Sequence, residues 1–184
     1  NDDDLRLLSE HGVQVIHCPE SNMKLASGAM PVKRLLDQQI NVALGTDGAA
    51  SNNDLDMLGE MRSAAFLAKL IAGDPTALDA HAALHMATLA GAQALGLAEE
   101  TGSLEIGKAA DLAAIDLSGL AQQPMYEPVS QLLYTCNAAQ VSDVWVAGKQ
   151  KLRAGKLCSL DIGPILQQAS ELATRIRKGD THES

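Results

Sequence analysis

The stretch best suited to chemistry is Val42-Ala43-Leu44-Gly45-Thr46-Asp47-Gly48-Ala49-Ala50-Ser51-Asn52-Asn53. A short apolar run ends in an acid, followed by small residues and asparagines. This pattern predicts a buried strand that delivers Asp47 to its C-terminal end, the end where chemistry sits in barrels of alternating strands and helices. A carboxylate on a rigid strand end can bind a divalent metal and accept a proton from metal-bound water. It can equally cap the turn that follows it, and spacing alone leaves both readings open.

Other residues could join it. His17 and Cys18 end an earlier β-branched run, Val13-Gln14-Val15-Ile16-His17-Cys18, before Pro19. His17 could ligate a metal, but a histidine hydrogen-bonded in a tight corner is the preferred reading. Ser21 and Asn22 follow in what reads as a polar loop running to Gly28. They could contact a substrate, or satisfy backbone groups of the turn. His81 and His85 lie one helical turn apart, yet the zinc-protease pattern needs Glu after the first His, and Ala82 stands there. Asp54 and Asp56, two apart at a helix start, diverge and complement the helix dipole rather than form an acid/base pair. No phosphate-binding Gly-x-x-x-x-Gly-Lys loop and no Gly-x-Ser-x-Gly elbow is present.

The elements that would position these residues follow from period and punctuation. Asn1 to Glu10 predicts a capped helix stopped by His11-Gly12, and Pro31 fits the first turn of a second helix carrying Val32, Leu35 and Leu36. Two strands separated by a crossover helix must be parallel neighbours in a covered sheet. Along the second strand, Asp47 shares parity with Asn41, Ala43 and Gly45, which would aim it into a barrel mouth. Asn53 can cap a helix with the stripe Leu55, Leu58, Met61 and Ala65, and Asp79 a helix from Ala80 to Leu95. From Thr101 the period changes. Gly102 to Gly107 reads as turn, short strand, turn; Asp111 to Leu117 as a strand; Val141 to Leu152 as a hairpin turning at Gly148-Lys149. Ile165 to Lys178 reads as a closing helix with a basic end, and Gly179 to Ser184 as a frayed tail. A boundary falls near residue 98, between β/α units and a β-rich region.

Composition excludes several partners. The 184 residues carry 23 Asp and Glu against 14 Lys and Arg, a net charge of −9, with 2% aromatics. There is neither a basic stripe nor a stacking platform for nucleic acid. No apolar run is long enough to span a membrane. The three cysteines, Cys18, Cys136 and Cys158, share no Cys-x-x-Cys spacing and read as free thiols in a reducing compartment, so a cytoplasmic location is expected. The opening Asn1-Asp2-Asp3-Asp4 has no initiator Met and nothing of a secretory signal, so the expectation is the C-terminal part of a longer protein.

Three segments together resemble one family. Val15 to Gly28, with His17-Cys18-Pro19-Glu20-Ser21-Asn22, resembles the seventh-strand segment of metal-dependent amidohydrolases. Gly45 to Asn53 is similar to their eighth-strand motif, and Gly102 to Leu112 to the segment that returns the chain to their β-sandwich. The nearest branch is that of the chlorohydrolases and aminohydrolases. The resemblance implies an α/β fold: residues 1–98 as the last two strands of a (β/α)8 TIM barrel, 99–160 as part of a composite β-sandwich, and 161–184 as closing helix and tail. It implies one divalent metal, Zn or Fe, with Asp47 as metal ligand and proton shuttle; Asp47, and from their place on the same rim Ser21 and Asn22, are the candidate substrate contacts. The implied reaction is deamination of an aminopurine nucleoside, such as 5-methylthioadenosine or S-adenosylhomocysteine, by attack of a metal hydroxide. Guanine, cytosine or triazine substrates are alternatives, as is a non-catalytic scaffold. The family's other metal-binding histidines would lie upstream of Asn1, and His17 is not among its ligands. A small-molecule substrate is the expected partner, with a homo-oligomer left open.

Overall fold

The first helix, α1 (Asp2–Glu10), begins on a capping box: the Asn1 side chain accepts from the Asp4 N–H while the Asp4 carboxylate takes the N-terminal amine. The computed structural model describes residues 1–177 and 179; the expectations for Lys178 and the tail beyond Gly179 lie outside the described residues. The strand β1 (Val15–His17) follows, and the helices α2 (Pro19–Leu25) and α3 (Val32–Asp37) lead to β2 (Val42–Leu44). The two strands are parallel, with Val15, Ile16 and His17 opposite Val42, Ala43 and Leu44, as the crossover requires.

The expected loop after β1 is instead α2. Pro19 does not merely end the strand: it occupies the first helical position, where its missing N–H costs nothing, with Glu20 in the first turn and Lys24 in the last. Ala26 in the left-handed conformation ends the helix. Ser21 and Asn22 therefore ride on a helix.

A second correction concerns the helix after β2. α4 (Met57–Ala72) is capped by Asp56, whose side chain accepts from the Leu58 N–H, and not by Asn53. The predicted Ala80–Leu95 helix is two, α5 (Ala80–Ala87) and α6 (Leu89–Ala94), broken at Thr88, whose hydroxyl donates back to the Leu84 carbonyl. Side-chain competition for a backbone carbonyl bends the chain where no Gly or Pro announces it.

The core lies between β2 and the helices over it. Val42, Ala43 and Leu44 are all buried, as are Leu35 of α3, Met61, Ala64, Ala65 and Ala68 of α4, and Ala83 and Met86 of α5. The alanines let α4 and α5 approach closely, while each large side chain, Met61 or Met86, contributes about 1.5–3 kcal/mol by leaving water.

Beyond residue 98 the predicted short strand at Leu104–Ile106 does not form. Gly102 sits at φ 92°, and a Cβ there would lie 2.7 Å from Ala92 Cβ and 3.0 Å from Leu89 Cα, so this segment is a turn pressed against α6. The strand β3 (Leu112–Ile115) precedes α7 (Pro128–Thr135), which returns to the helical layer: Leu133 is buried in the same core, and Arg62 donates to the Leu133 and Cys136 carbonyls. The strands β4 (Val141–Val146), β5 (Lys149–Arg153) and β6 (Lys156–Leu157) complete a four-stranded antiparallel sheet in the order β3-β4-β5-β6. The expected hairpin is β4–β5, but it turns at Ala147-Gly148, one residue earlier than expected, because Lys149 already pairs with Val146. The last helix, α8 (Ile162–Arg177), is exposed along its length.

Candidate active site

Asp47 stands just past the end of β2, exposed, at a backbone φ of 63°. The strand ends at Leu44, so a left-handed turn and not strand alternation sets the direction of its carboxylate. Three donors hold that carboxylate. Oδ2 accepts from Ser21 Oγ at 2.8 Å and Ser51 Oγ at 2.7 Å, and Oδ1 accepts from the Gly48 N–H at 2.8 Å. The Ser51 and Ser21 hydroxyls and the Gly48 amide keep its pKa below the usual carboxylate range. The turn-capping reading of this acid holds through Gly48 and Ser51, and Ser21 of the neighbouring β/α unit adds a third contact.

The sequence-predicted residues separate at this point. Ser21 is buried and donates to Asp47, rather than satisfying backbone groups of a turn. The Asn22 side chain does not join the cluster. His17 is 1% exposed, and neither ring nitrogen has a hydrogen-bond partner, so the expected hydrogen-bonded corner is absent. It faces the covered side of β1, opposite the half-exposed Ile16, and burial pushes its pKa down to about 4, leaving the ring neutral. His81 and His85 are exposed on α5, and His81 lies 3.6 Å from Glu127. Asp54 Oδ1 accepts from the Asp56 N–H ahead of α4, and Asp56 Oδ2 from the Ala138 N–H, so the two acids act as turn and cap.

One residue of the site escapes sequence reading. Glu60 of α4 is 0% exposed, the only buried carboxyl among the described residues. Its Oε2 accepts from the Glu20 N–H at 3.2 Å, and its Oε1 from Asn52 Nδ2. Desolvation pushes its pKa up to about 7, against the Glu20 N–H, which favours the charged form. The available signal was positional: Glu60 falls on the helix face shared by Met57, Met61 and Ala64, where an apolar residue belongs. Gly59 beside it lets α2 approach, since a Cβ there would sit 3.3 Å from Glu20 Oε1. Lys24 adds a tie from α2, donating to the Ala50 carbonyl at 3.0 Å and Asn53 Oδ1 at 2.6 Å.

An ionised carboxylate offers about four lone-pair positions. Asp47 uses three, which leaves one on Oδ1 of an exposed residue. That position fits a cation or a proton. Among the described residues, no three His, Cys, Asp or Glu side chains converge to hold a metal.

Comparison with known proteins places the chain in a family. The Amidohydrolase family model matches residues 1–151, and the chain belongs to that family. Among curated relatives it is 53% identical over 169 residues, 92% of this chain, to the 5-methylthioadenosine/S-adenosylhomocysteine deaminase of Teredinibacter turnerae, and 48% identical over 177 residues, 96% of this chain, to that of Moorella thermoacetica. The chain spans 38% and 41% of those two relatives. Among solved structures, an adenosine deaminase from Xanthomonas campestris with bound zinc superposes with a TM-score of 0.94 at 50% identity, over 97% of this chain and 40% of that one. Atrazine chlorohydrolase from Arthrobacter aurescens with zinc does so at 0.84 and 28%, over 94% and 38%. Among the described residues, no helix is long and apolar enough to cross a membrane.

Proposed function

We propose that this chain is the C-terminal part of a metal-dependent deaminase acting on an aminopurine nucleoside, 5-methylthioadenosine or S-adenosylhomocysteine being the leading substrates. The observation that carries the reading is the Asp47 carboxylate: ionised, exposed, and aimed by Ser21 from the adjacent β/α unit with one lone pair left over. In the same reading β1 and β2 are the last strands of a (β/α)8 barrel over residues 1–98, and β3–β6 belong to a β-sandwich over 99–160. The α7 helix lies on the barrel side of that division, because Leu133 is part of the first core. The three free thiols support a reducing, cytoplasmic setting.

Asp47 would hold the metal, zinc by analogy with the Xanthomonas campestris structure and iron as the alternative. When bound, the ion supplies Lewis-acid activation of water. The chain's own contribution is the rest. Ser21 and Ser51 fix Oδ2 so that only Oδ1 is presented. With Oδ1 given to the ion, Oδ2 could take a proton once one of the two serine hydroxyls turns to accept from it, and return that proton to a departing amine. Its lowered pKa keeps it unprotonated between turnovers.

The test is a substrate and metal profile of the full-length protein. Turnover of methylthioadenosine or S-adenosylhomocysteine with stoichiometric zinc or iron is expected. A triazine hydrolysed in preference to either would move the protein to the other side of its family, where the 28% identical chlorohydrolase lies. The 184-residue chain alone, with one ligand, is expected to retain little zinc and deaminate nothing; stoichiometric zinc with turnover would overturn that.

A further inference from the structure

The two hydroxyls that orient Asp47 come from separate elements, Ser21 on α2 and Ser51 on the turn after β2. The residue next to each is held by one side chain. Glu20, before Ser21, gives its backbone N–H to Glu60 Oε2, and Asn52, after Ser51, gives its side-chain N–H to Glu60 Oε1. Asn52 is itself 3% exposed, and its Oδ1 accepts from the Leu55 N–H at 3.0 Å, which fixes which end of the amide faces Glu60. Both oxygens of one buried carboxyl thus hold the start of α2 and the Asp47 turn at a set separation. α4 is the rigid body behind them, anchored by Met61 and Ala64 in the core.

We propose that Glu60 is a positioning residue for the Asp47 site: its two oxygens set the spacing of Ser21 and Ser51, and through them the direction of the Asp47 carboxylate. The proposal rests on the deaminase reading for its kinetic readout and on the hydrogen-bond geometry for everything else. Both groups facing Glu60 are donors, so the two contacts call for the ionised carboxyl, and the comparison of variants is made above pH 7, where that form prevails. An amide of the same shape can accept from Glu20 only by turning its own NH2 against the NH2 of Asn52. A buried donor facing a donor is costly, so α2 and the turn should drift apart.

The test uses the full-length protein, with turnover of 5-methylthioadenosine, bound zinc, melting temperature and a crystal structure followed across a small set of variants. Glu60→Gln should lower kcat by about 10- to 100-fold while KM moves little, since a displaced carboxylate misplaces chemistry more than binding. The paired exchange Glu60→Gln with Asn52→Asp reverses donor and acceptor, keeps an acceptor for the Leu55 N–H, and should recover most of the loss. In a Ser21→Ala, Ser51→Ala background, Glu60→Gln should cost nothing further, because the groups it acts through are gone. Equal losses in both backgrounds, or a Glu60→Gln crystal structure in which Asp47 keeps both hydroxyl contacts, would overturn the proposal. So would a fold that collapses with Glu60→Gln and is not repaired by the paired exchange, since that assigns Glu60 to general stability. If the unaltered protein turns over no aminopurine, the deaminase reading fails separately, and the Asp47 contacts in the variant's crystal structure still decide the role of Glu60.

Discussion

The parallel pair β1–β2 and the antiparallel sheet β3–β6 are buried very differently. Every residue of β2 is buried, whereas in β5 exposed and half-buried residues alternate and none is buried. A parallel pair demands a crossover, and the crossover brings helices: α3, α4, α5 and α6 all lie against β2. A hairpin demands only the turn at Ala147-Gly148, so β4 and β5 gain a neighbour without a cover. The difference extends to polar groups. Only under the helices can a carboxyl such as Glu60 be kept from water and used to brace others. In the sheet, Asp111 is an exposed acid held at a lowered pKa by the Ala147 N–H and the Thr101 hydroxyl, and it fastens one loop to one turn.

That contrast is open to attack at several scales. The largest expected effect is on turnover by the full-length protein. Asp47→Asn should cost roughly 10²- to 10⁴-fold in kcat, while Asp111→Asn, similarly hydrogen-bonded but in the sheet, should leave kcat within about twofold. Comparable losses would dissolve the distinction between the two acids. Next comes packing. Met86→Ala, in the covered region, should lower unfolding stability by about 2–5 kcal/mol, and Val146→Ala, on the open sheet, by about 0.5 kcal/mol or less. Urea unfolding of each variant decides it.

A pH series sharpens the comparison further, because the covered region holds two titrating groups of opposite sign. Folded Glu60 keeps its proton to about pH 7, whereas the unfolded side chain loses it near 4.5. Its contribution is therefore full at low pH and lost as pH rises through that window. Folded His17 stays neutral down to about pH 4, whereas the unfolded ring takes a proton near 6.5, so its contribution is full above 6.5 and lost as pH falls. Each is worth up to roughly 3 kcal/mol, and in the unaltered chain they oppose one another. Melting temperature should be nearly flat between pH 4.5 and 6.5, rise with pH after Glu60→Gln, and fall with pH after His17→Phe. Parallel slopes for all three proteins would refute the assignment. The smallest expected effect is that of His81→Ala: an exposed residue 3.6 Å from Glu127 should leave activity near normal and shift stability by less than about 1 kcal/mol. A large loss of turnover would place α5 in the site.

Much of the site-bearing half was legible before the structure. The parallel relation of the strands follows from the crossover, and Asp47 at a strand end follows from one apolar run. What could not be read depended on groups distant in sequence. Pro19 is ambiguous between ending a strand and starting a helix, and the approach of α4 through Gly59 accompanies the second outcome. The break at Thr88 comes from one hydroxyl finding one carbonyl. Asp56 displaces Asn53 as helix cap because its other oxygen also accepts from Ala138, 82 positions away. Glu60 was legible only as an anomaly, a charge on a buried face, whose partners Glu20 and Asn52 carry no mark in sequence.

The left-handed backbone at Asp47 narrows what evolution or an experimenter can place there. At a φ of 63°, Asn and Asp are the side-chain-bearing residues that adopt the conformation most readily, and others are disfavoured by roughly 1–2 kcal/mol. Of that pair only one is an anion. Glutamate, the other natural carboxylate, would carry that backbone cost in addition to its extra length, as Gln39 and Leu55 carry it elsewhere in the chain, so handedness and reach both favour aspartate, and among residues with a side chain the amide alters the charge with least disturbance of the main chain.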